Sequence, residues 1–370
     1  MKFTSIVESL PSTTPFIGPE ALQRRSGQRI IARIGANENV FGPSPKAIAA
    51  MQAATTESWK YGDPENHDLK AAIAKQLGVQ PENIACGGGI DGLLGLVTRL
   101  FINRGDAVAT SLGAYPTFNF HVAASGGKLL TTPYVDDHEN PDALLKLAKA
   151  ENAKLLYFAN PDNPMGSCWS SNIVQRLIND VPLSCMLLLD EAYIEFAPDG
   201  TAPAIDVSRK NLLRFRTFSK AYGMAGIRVG YVIGHPDVIE AFDKIRNHFG
   251  ISRISQAGAI AALEDQAWII HVKSEVIDAR YRIKIIAEAN GLRPLPTATN
   301  FMAIDCRRDG SYARAIVDGL LQHGIFIRMP GIAPLNRCIR VSCGTKSDLD
   351  ALATALPKVL AKISSNSVNS

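Results

Sequence analysis

The sequence predicts an α/β fold. A large domain holds a mostly parallel sheet covered by helices on both faces, and a smaller α/β domain is built from the N-terminal arm and the C-terminal part. Three observations predict it. Uninterrupted apolar runs at residues 154–159, 185–189 and 212–216 alternate with helical stretches, as strands buried on both faces do. Each run stops at a polar group, on the side of such sheets where ligands bind. After about residue 288 the rhythm changes to shorter strand–helix–strand units.

Composition narrows the possibilities. The chain has 370 residues, 46% hydrophobic and 20% charged, an ordinary globular balance with room for two to three domain-sized units. The net charge is only +4 and no basic run stands out, so nucleic acid is not indicated as a partner. Residues 1–10 hold no apolar core of signal-peptide length, and no window is long enough to span a membrane. The six cysteines (86, 168, 185, 306, 338 and 343) form no Cys-x-x-Cys pair, which reads as reduced core residues of a cytoplasmic protein. Neither they nor the seven histidines show metal spacing, and no metal is expected.

Taken in order, residues 1–45 are rich in Pro, Gly and Thr and read as an arm wrapping over the rest. Helices are expected at 46–58 and 67–77, the second closed by Gly78, with a turn at 61–65 between them. Cys86-Gly87-Gly88-Gly89-Ile90-Asp91 leads into an apolar helix over 92–102, and glycines opening a helix present backbone N–H groups to an anion. A strand at 107–110 precedes the turn Gly113-Ala114-Tyr115-Pro116. The runs at 154–159 and 185–189 end in Asn160-Pro161-Asp162-Asn163-Pro164-Met165-Gly166 and Asp190-Glu191-Ala192-Tyr193. A strand over 227–233, a helix over 236–247 and a long helical region over 255–289 follow. The C-terminal part reads as strands at 300–305, 325–329 and 337–342 with helices at 312–323 and 349–362, ending in a Ser/Asn-rich stretch, 364–370, expected to fray. The boundaries are therefore an arm over 1–45 joining the small domain, a large domain over 46–288 and a C-terminal small domain over 289–370.

The most informative string is Thr217-Phe218-Ser219-Lys220-Ala221-Tyr222-Gly223-Met224-Ala225-Gly226-Ile227-Arg228. Its glycines let backbone approach a ligand. It offers one amine (Lys220), one hydroxyl (Ser219) and one fixed cation (Arg228). A lysine among apolar and cationic neighbours can lose its proton and attack a carbonyl, while Arg and Ser are donors for a phosphate. An aldehyde that carries a phosphate is pyridoxal 5'-phosphate.

With these motifs in hand, the chain resembles fold-type-I, class I/II aminotransferases that depend on pyridoxal 5'-phosphate, and within them it is most similar to histidinol-phosphate aminotransferases. The matching stretches run from Ala36-Asn37-Glu38-Asn39 to Arg340-Val341-Ser342-Cys343-Gly344. The resemblance implies a transaminase of amino-acid, specifically histidine, biosynthesis. Such an enzyme moves an amino group from glutamate or a similar donor to a keto substrate such as imidazole acetol phosphate. It implies that Lys220 carries the cofactor aldehyde and shuttles the proton, and that Asp190 pairs with the pyridine nitrogen. Tyr193 and Asn163 would donate to the ring's phenolic oxygen, and Tyr115 would stack on the ring. Ser219, Arg228 and the N–H groups around Gly89, Ile90 and Asp91 would hold the phosphate. Tyr61 resembles a tyrosine that reaches the phosphate of the partner subunit's site, implying a homodimer. On the substrate side, Arg340 matches the arginine that forks onto the α-carboxylate, Asn37 a companion contact, and Arg328 an arginine near the distal end.

Three stretches depart from the histidinol-phosphate pattern. Gly87-Gly88-Gly89-Ile90-Asp91-Gly92 replaces Gly-Asn-Gly-Ser-Asp-Glu, Thr14-Pro15-Phe16 stands where Pro-Tyr is usual, and His248-Phe249-Gly250-Ile251-Ser252 replaces a Pro-Tyr/Phe-Asn segment. Phe16 has no hydroxyl for a substrate phosphate. One such hydrogen bond to a charged group is worth about 1.5–3 kcal/mol, roughly ten- to hundredfold in affinity. Two alternatives therefore stay open: an aminotransferase for aromatic or other unphosphorylated amino acids, and a lyase like the threonine-phosphate decarboxylases. A regulatory module fused to a helix-turn-helix domain fits less well, because no basic extension precedes residue 30.

Overall fold

The structure is a computed structural model that describes residues 1–11 and 17–368. Thr14, Pro15 and Phe16, where the arm departs from the family, lie outside the described residues. In chain order the strands are β1 (Ala32–Arg33), β2 (Ile84–Gly87), β3 (Ala107–Ser111), β4 (Lys128–Thr132), β5 (Leu155–Ala159), β6 (Met186–Asp190), β7 (Leu212–Thr217), β8 (Gly230–Gly234), β9 (Arg293–Pro294), β10 (Phe301–Asp305), β11 (Ile325–Phe326) and β12 (Cys338–Ser342).

Seven of them form the central sheet in the order β2-β8-β7-β6-β5-β3-β4. Strands β4, β3, β5, β6 and β7 pair in parallel, while β8 runs antiparallel to both β7 and β2. The unbroken apolar runs have a direct cause. Successive side chains of a strand point to opposite faces, and here both faces are covered. Leu155 and Tyr157 of β5 pack with Leu93, Val97 and Phe118 of two covering helices. Their neighbours Leu156 and Phe158 pack on the other side with Leu144, Val174 and Leu177.

Several boundaries differ from expectation for local reasons. The strand expected over 227–233 begins only at Gly230, because Ala225–Ile227 is a 3-10 turn and Arg228 turns the chain at φ +58°. The long helical region is two helices, Arg253–Glu264 and Gln266–Ala289, separated at Asp265. The helix from Pro236 stops at Asp243. The last helix spans Lys346–Val368 and continues through Ser364, where fraying was expected. Helices Pro141–Ala150 and Ser171–Asp180 and the edge strand β4 were not singled out in the sequence.

The arm is more built-in than its turn-rich composition indicates. It carries a helix, Pro19–Ser26, and β1 pairs in parallel with β11. Ala32 and Ile34 are fully buried. A three-stranded antiparallel sheet, β12-β10-β9, stands beside it. One apolar cluster runs from Leu69 and Phe218 through Val272 to Phe301, Ile339 and Leu356, so the small sheet is packed against the large one. Among the described residues no helix is long and apolar enough to cross a membrane, and no group of His, Cys, Asp or Glu could hold a metal ion.

Candidate active site

Adjacent parallel strands deliver the first side chains. Strand β5 runs into the turn 160–166, which its own Asp162 ties down. Asp162 accepts from the Met165 N–H at 2.9 Å and from the Tyr134 hydroxyl at 2.8 Å, and its carbonyl accepts from the Gly166 N–H at 3.1 Å. That turn holds Asn163 at the strand end, where its Oδ1 accepts from Arg340 Nη1 at 2.6 Å. Strand β6 ends in Asp190, which is buried. It accepts from the Tyr157 hydroxyl at 2.6 Å and the Ala192 N–H at 2.9 Å. Burial pushes its carboxyl up to about 6, against the pull of those two donors.

Strand β7 leads to Ser219 and Lys220. The Lys220 amine is partly buried, donates to the Asn37 carbonyl at 3.1 Å and lies 5.5 Å from the centre of the Tyr193 ring. Burial, then the Arg340 and Arg228 cations, bring it down to about 8, so a usable fraction is neutral amine. The Tyr193 hydroxyl accepts from Asn37 Nδ2 at 3.1 Å, which leaves its own proton for another acceptor. Tyr115 caps the helix Pro116–Ala124 and is partly buried, its hydroxyl pushed up to about 12 by burial.

A candidate phosphate cup forms where β2 passes into the helix Gly89–Phe101. The first N–H groups of that helix have no partner within it and carry its positive end. Gly89 has φ +83°, and a Cβ there would fall on the Arg228 guanidinium. Gly230 of β8 runs beneath, where a Cβ would lie 2.8 Å from the Gly89 carbonyl carbon. Glycine at both positions thus lets Arg228 lie across the helix start. Arg228 donates to Gly88 O at 3.1 Å, to Ala225 O at 2.9 Å and to Ser219 Oγ at 3.4 Å. Ile90 is buried, and the Asp91 carboxylate pairs with His121 Nε2 at 3.0 Å, which turns it toward the neighbouring helix.

On the other side stands Arg340 of β12. It is buried, its guanidinium lies 5.1 Å from the Phe301 ring centre, and its Nε has no partner among the described residues. An orphaned, buried guanidinium N–H is the donor an incoming anion needs. Arg328 pairs with Arg340 through the backbone, and its Nη2 donates to Ile17 O at 3.1 Å. Asn37 joins the two sides, since it touches Lys220 and Tyr193 on one and Ser342 of β12 on the other.

Hydrogen bonds and charges therefore link Lys220, Tyr193, Asn37, Arg340 and Asn163. Hydrogen bonds also link Arg228, Ser219 and the Gly88–Gly89 turn, and the Arg228 charge reaches Lys220. Tyr61 makes none of these contacts: it is 76% exposed and its ring packs against Phe249, tilted by 38° with centres 4.7 Å apart. Sequence reasoning missed Tyr157, Asn300 and Ser342. A lone hydroxyl inside the apolar run of β5 was the available signal for Tyr157, because a buried tyrosine needs a partner. Ser342 lies two residues past Arg340 on one strand, hence on the same face.

Residues 29–356 match the family described as aminotransferase class I and II. Among curated relatives, a histidinol-phosphate aminotransferase of Moorella thermoacetica is 31% identical over 96% of this chain and 92% of its own length. One from Roseiflexus castenholzii is 34% identical over 95% and 96%. Among solved structures, histidinol-phosphate aminotransferase from Sinorhizobium meliloti, in complex with pyridoxal-5'-phosphate, superposes with a TM-score of 0.95 at 54% identity, covering 98% of each chain. An aspartate aminotransferase from Thermus thermophilus with maleate shares the fold at a TM-score of 0.82 and 20% identity.

Proposed function

We propose, from the premise that this chain belongs to the class I and II aminotransferases, that it is a histidinol-phosphate aminotransferase: it transfers an amino group from glutamate to imidazole acetol phosphate. The observation that carries the chemistry is one partly buried amine, Lys220, brought down to about 8 by burial and nearby cations, 5.5 Å from a tyrosine ring and near a buried, incompletely partnered arginine. The 54% identity over 98% of the Sinorhizobium enzyme supports the substrate.

The donor set fits pyridoxal 5'-phosphate. Asp190 is a buried acid without a cationic hydrogen-bond partner among the described residues, and the Gly89 turn, Ser219 and Arg228 make a cup of anion donors. When bound, the cofactor supplies an aldehyde that takes the amino group and a ring that accepts electrons. Lys220 would hold the aldehyde end and carry a proton at the substrate's amino-bearing carbon. Asp190 would keep the pyridine nitrogen protonated. Tyr193 and Asn163 would donate to the phenolic oxygen, and Tyr115 would cover the ring. Arg340, with Asn37 beside it, would grip the anion next to the reacting carbon, and Arg328 the distal end.

We further infer a cytoplasmic homodimer of chains organised as arm 1–45, large domain 46–288 and small domain 289–370. Tyr61 would reach the partner subunit's phosphate, a role its exposure supports. One observation favours a second reading, transamination of unphosphorylated amino acids: Phe16 lacks the hydroxyl usual at its position.

The test is a half-reaction screen of histidinol phosphate, phenylalanine, tyrosine, leucine and glutamate, following conversion of the bound cofactor to its amine form. Preference for histidinol phosphate and glutamate supports the proposal. Preference for an aromatic or branched side chain transfers it to the second reading. Lys220→Ala should abolish the conversion; turnover retained by that variant refutes the assignment of Lys220.

A further inference from the structure

Asn37 has a left-handed backbone, φ +56°, and is 3% exposed. A residue other than glycine holds that conformation only where its surroundings over-determine it. Two side chains do so here. Ser342 Oγ accepts from the Asn37 N–H at 3.0 Å and donates to its Oδ1 at 3.3 Å. Asn300 Nδ2 donates to the Asn37 carbonyl and to the Glu38 carbonyl, both at 3.2 Å. The remaining valences of Asn37 face the site: its carbonyl accepts from Lys220 Nζ at 3.1 Å and its Nδ2 donates to the Tyr193 hydroxyl at 3.1 Å.

Resting on the assignment of Lys220 made above, we propose that Asn300 and Ser342 are positioning residues that clamp Asn37, so that the Asn37 carbonyl holds the Lys220 amine and its amide holds the Tyr193 hydroxyl. The orientation of the Asn300 amide is fixed chemically, since the opposite flip would set its oxygen against two carbonyls. Its Oδ1 is buried without a partner among the described residues. A buried amide kept at the cost of an unpaired acceptor calls for an explanation, and holding two carbonyls of a left-handed turn supplies one.

The clamp also sits where it can relay. Asn300 immediately precedes β10, Phe301 pairs with Ser342, and the Cys343 N–H donates to Asn300 O at 2.8 Å, so the two clamp residues are neighbours. Ser342 shares a strand face with Arg340. The strand that would grip the substrate anion is thereby joined, through one residue of the arm, to the amine and the phenol.

The clamp predicts a specific change in Lys220. A carbonyl acceptor favours the ammonium form, so freeing Asn37 lowers the proton affinity of the amine. The experiment uses cofactor-free wild type, Asn300→Ala, Ser342→Ala and Ser342→Thr. It measures the pH dependence of the rate at which pyridoxal attaches to Lys220, with the site fixed by borohydride and read by peptide sequencing. In both alanine variants the midpoint should fall by about one pH unit, and Ser342→Thr should restore it. With the cofactor loaded, the same two variants should lose about tenfold in kcat, with a change of less than threefold in KM for the amino donor. A midpoint that stays in place in Ser342→Ala, whose fold loses only a hydroxyl, overturns the clamp even if the melting temperature drops. A label on a different lysine overturns the assignment of Lys220 itself, and the clamp with it.

Discussion

The Tyr157 hydroxyl on β5 donates to the Asp190 carboxylate across 2.6 Å, from one central strand to its neighbour, and no cation within the described residues forms an ion pair with that acid. Lys220 pulls on its charge from a distance, but the arginines nearby are spent elsewhere. Arg214 and Arg216 both pair with the adjacent Glu191, which is drawn below its ordinary range by them despite burial. Two consecutive acids thus meet opposite fates: Glu191 is neutralised by arginines, while Asp190 keeps an unmet demand for a cation. A pyridinium N–H would meet it.

That demand should be measurable without the cofactor. The folded state holds the Asp190 proton more tightly than the unfolded chain does, raising the pKa from 3.8 to about 6. The group therefore contributes full stability below about pH 4, and loses it as pH rises through about 6. Above that, the ionised Asp190 costs the apoprotein up to about 3 kcal/mol. Asp190→Asn should make the cofactor-free protein more resistant to urea than wild type at pH 8 and equal to it at pH 4, while abolishing tight cofactor binding. Equal unfolding midpoints at both pH values would show that the acid is already satisfied.

Gly89→Ala tests the phosphate cup. Its backbone is left-handed and its Cβ would fall on Arg228, so the change forces either the turn or the guanidinium aside. Strain of this kind costs on the order of 1–3 kcal/mol, and the displaced cation should weaken phosphate binding about tenfold or more. The discriminating measurement compares pyridoxal 5'-phosphate with pyridoxal. Affinity should fall for the phosphorylated compound and stay within about twofold for the other. A uniform loss for both would point to a general collapse of the site.

Much of this was legible in the sequence, for identifiable reasons. Strands β5, β6 and β7 are buried on both faces, so their apolar runs stand out, and the polar residue ending each is conspicuous. Motif chemistry singled out Lys220 and Arg228 as candidates, and the end of a buried strand singled out Asp190. Other features were hidden. Strand β4 lies at the sheet edge as Lys-Leu-Leu-Thr-Thr, too short and mixed to announce itself. Strand β1 is two residues inside a turn-rich arm, and only its pairing with β11 makes it a strand. Asn300 and Ser342 act through Asn37, which lies 263 and 305 positions away in the chain, and no local pattern encodes such a contact. Tyr61 was read as a residue acting outside its own subunit; its aromatic neighbour Phe249 comes from one of the departing segments, so that ring contact was not foreseeable.

Under the proposed reaction, Arg340 would have to accept two classes of anion at one place. Glutamate presents a planar carboxylate on its amino-bearing carbon, whereas histidinol phosphate carries a phosphate ester one carbon further out. Arg340 already spends Nη1 on Asn163 at 2.6 Å, leaving Nε and the second terminal nitrogen as the fork for a carboxylate. A lysine keeps the charge but loses the fork, and as a point charge it still binds phosphate. One charge-assisted hydrogen bond is worth about 1.5–3 kcal/mol, or ten- to hundredfold. Arg340→Lys should therefore raise KM for glutamate by that factor and raise KM for histidinol phosphate distinctly less, with Asn163 left unpaired in both cases. Steady-state kinetics in each half-reaction gives the comparison. Equal losses would mean that both anions are met by the same two nitrogens, and a larger loss for histidinol phosphate would move the carboxylate grip away from Arg340.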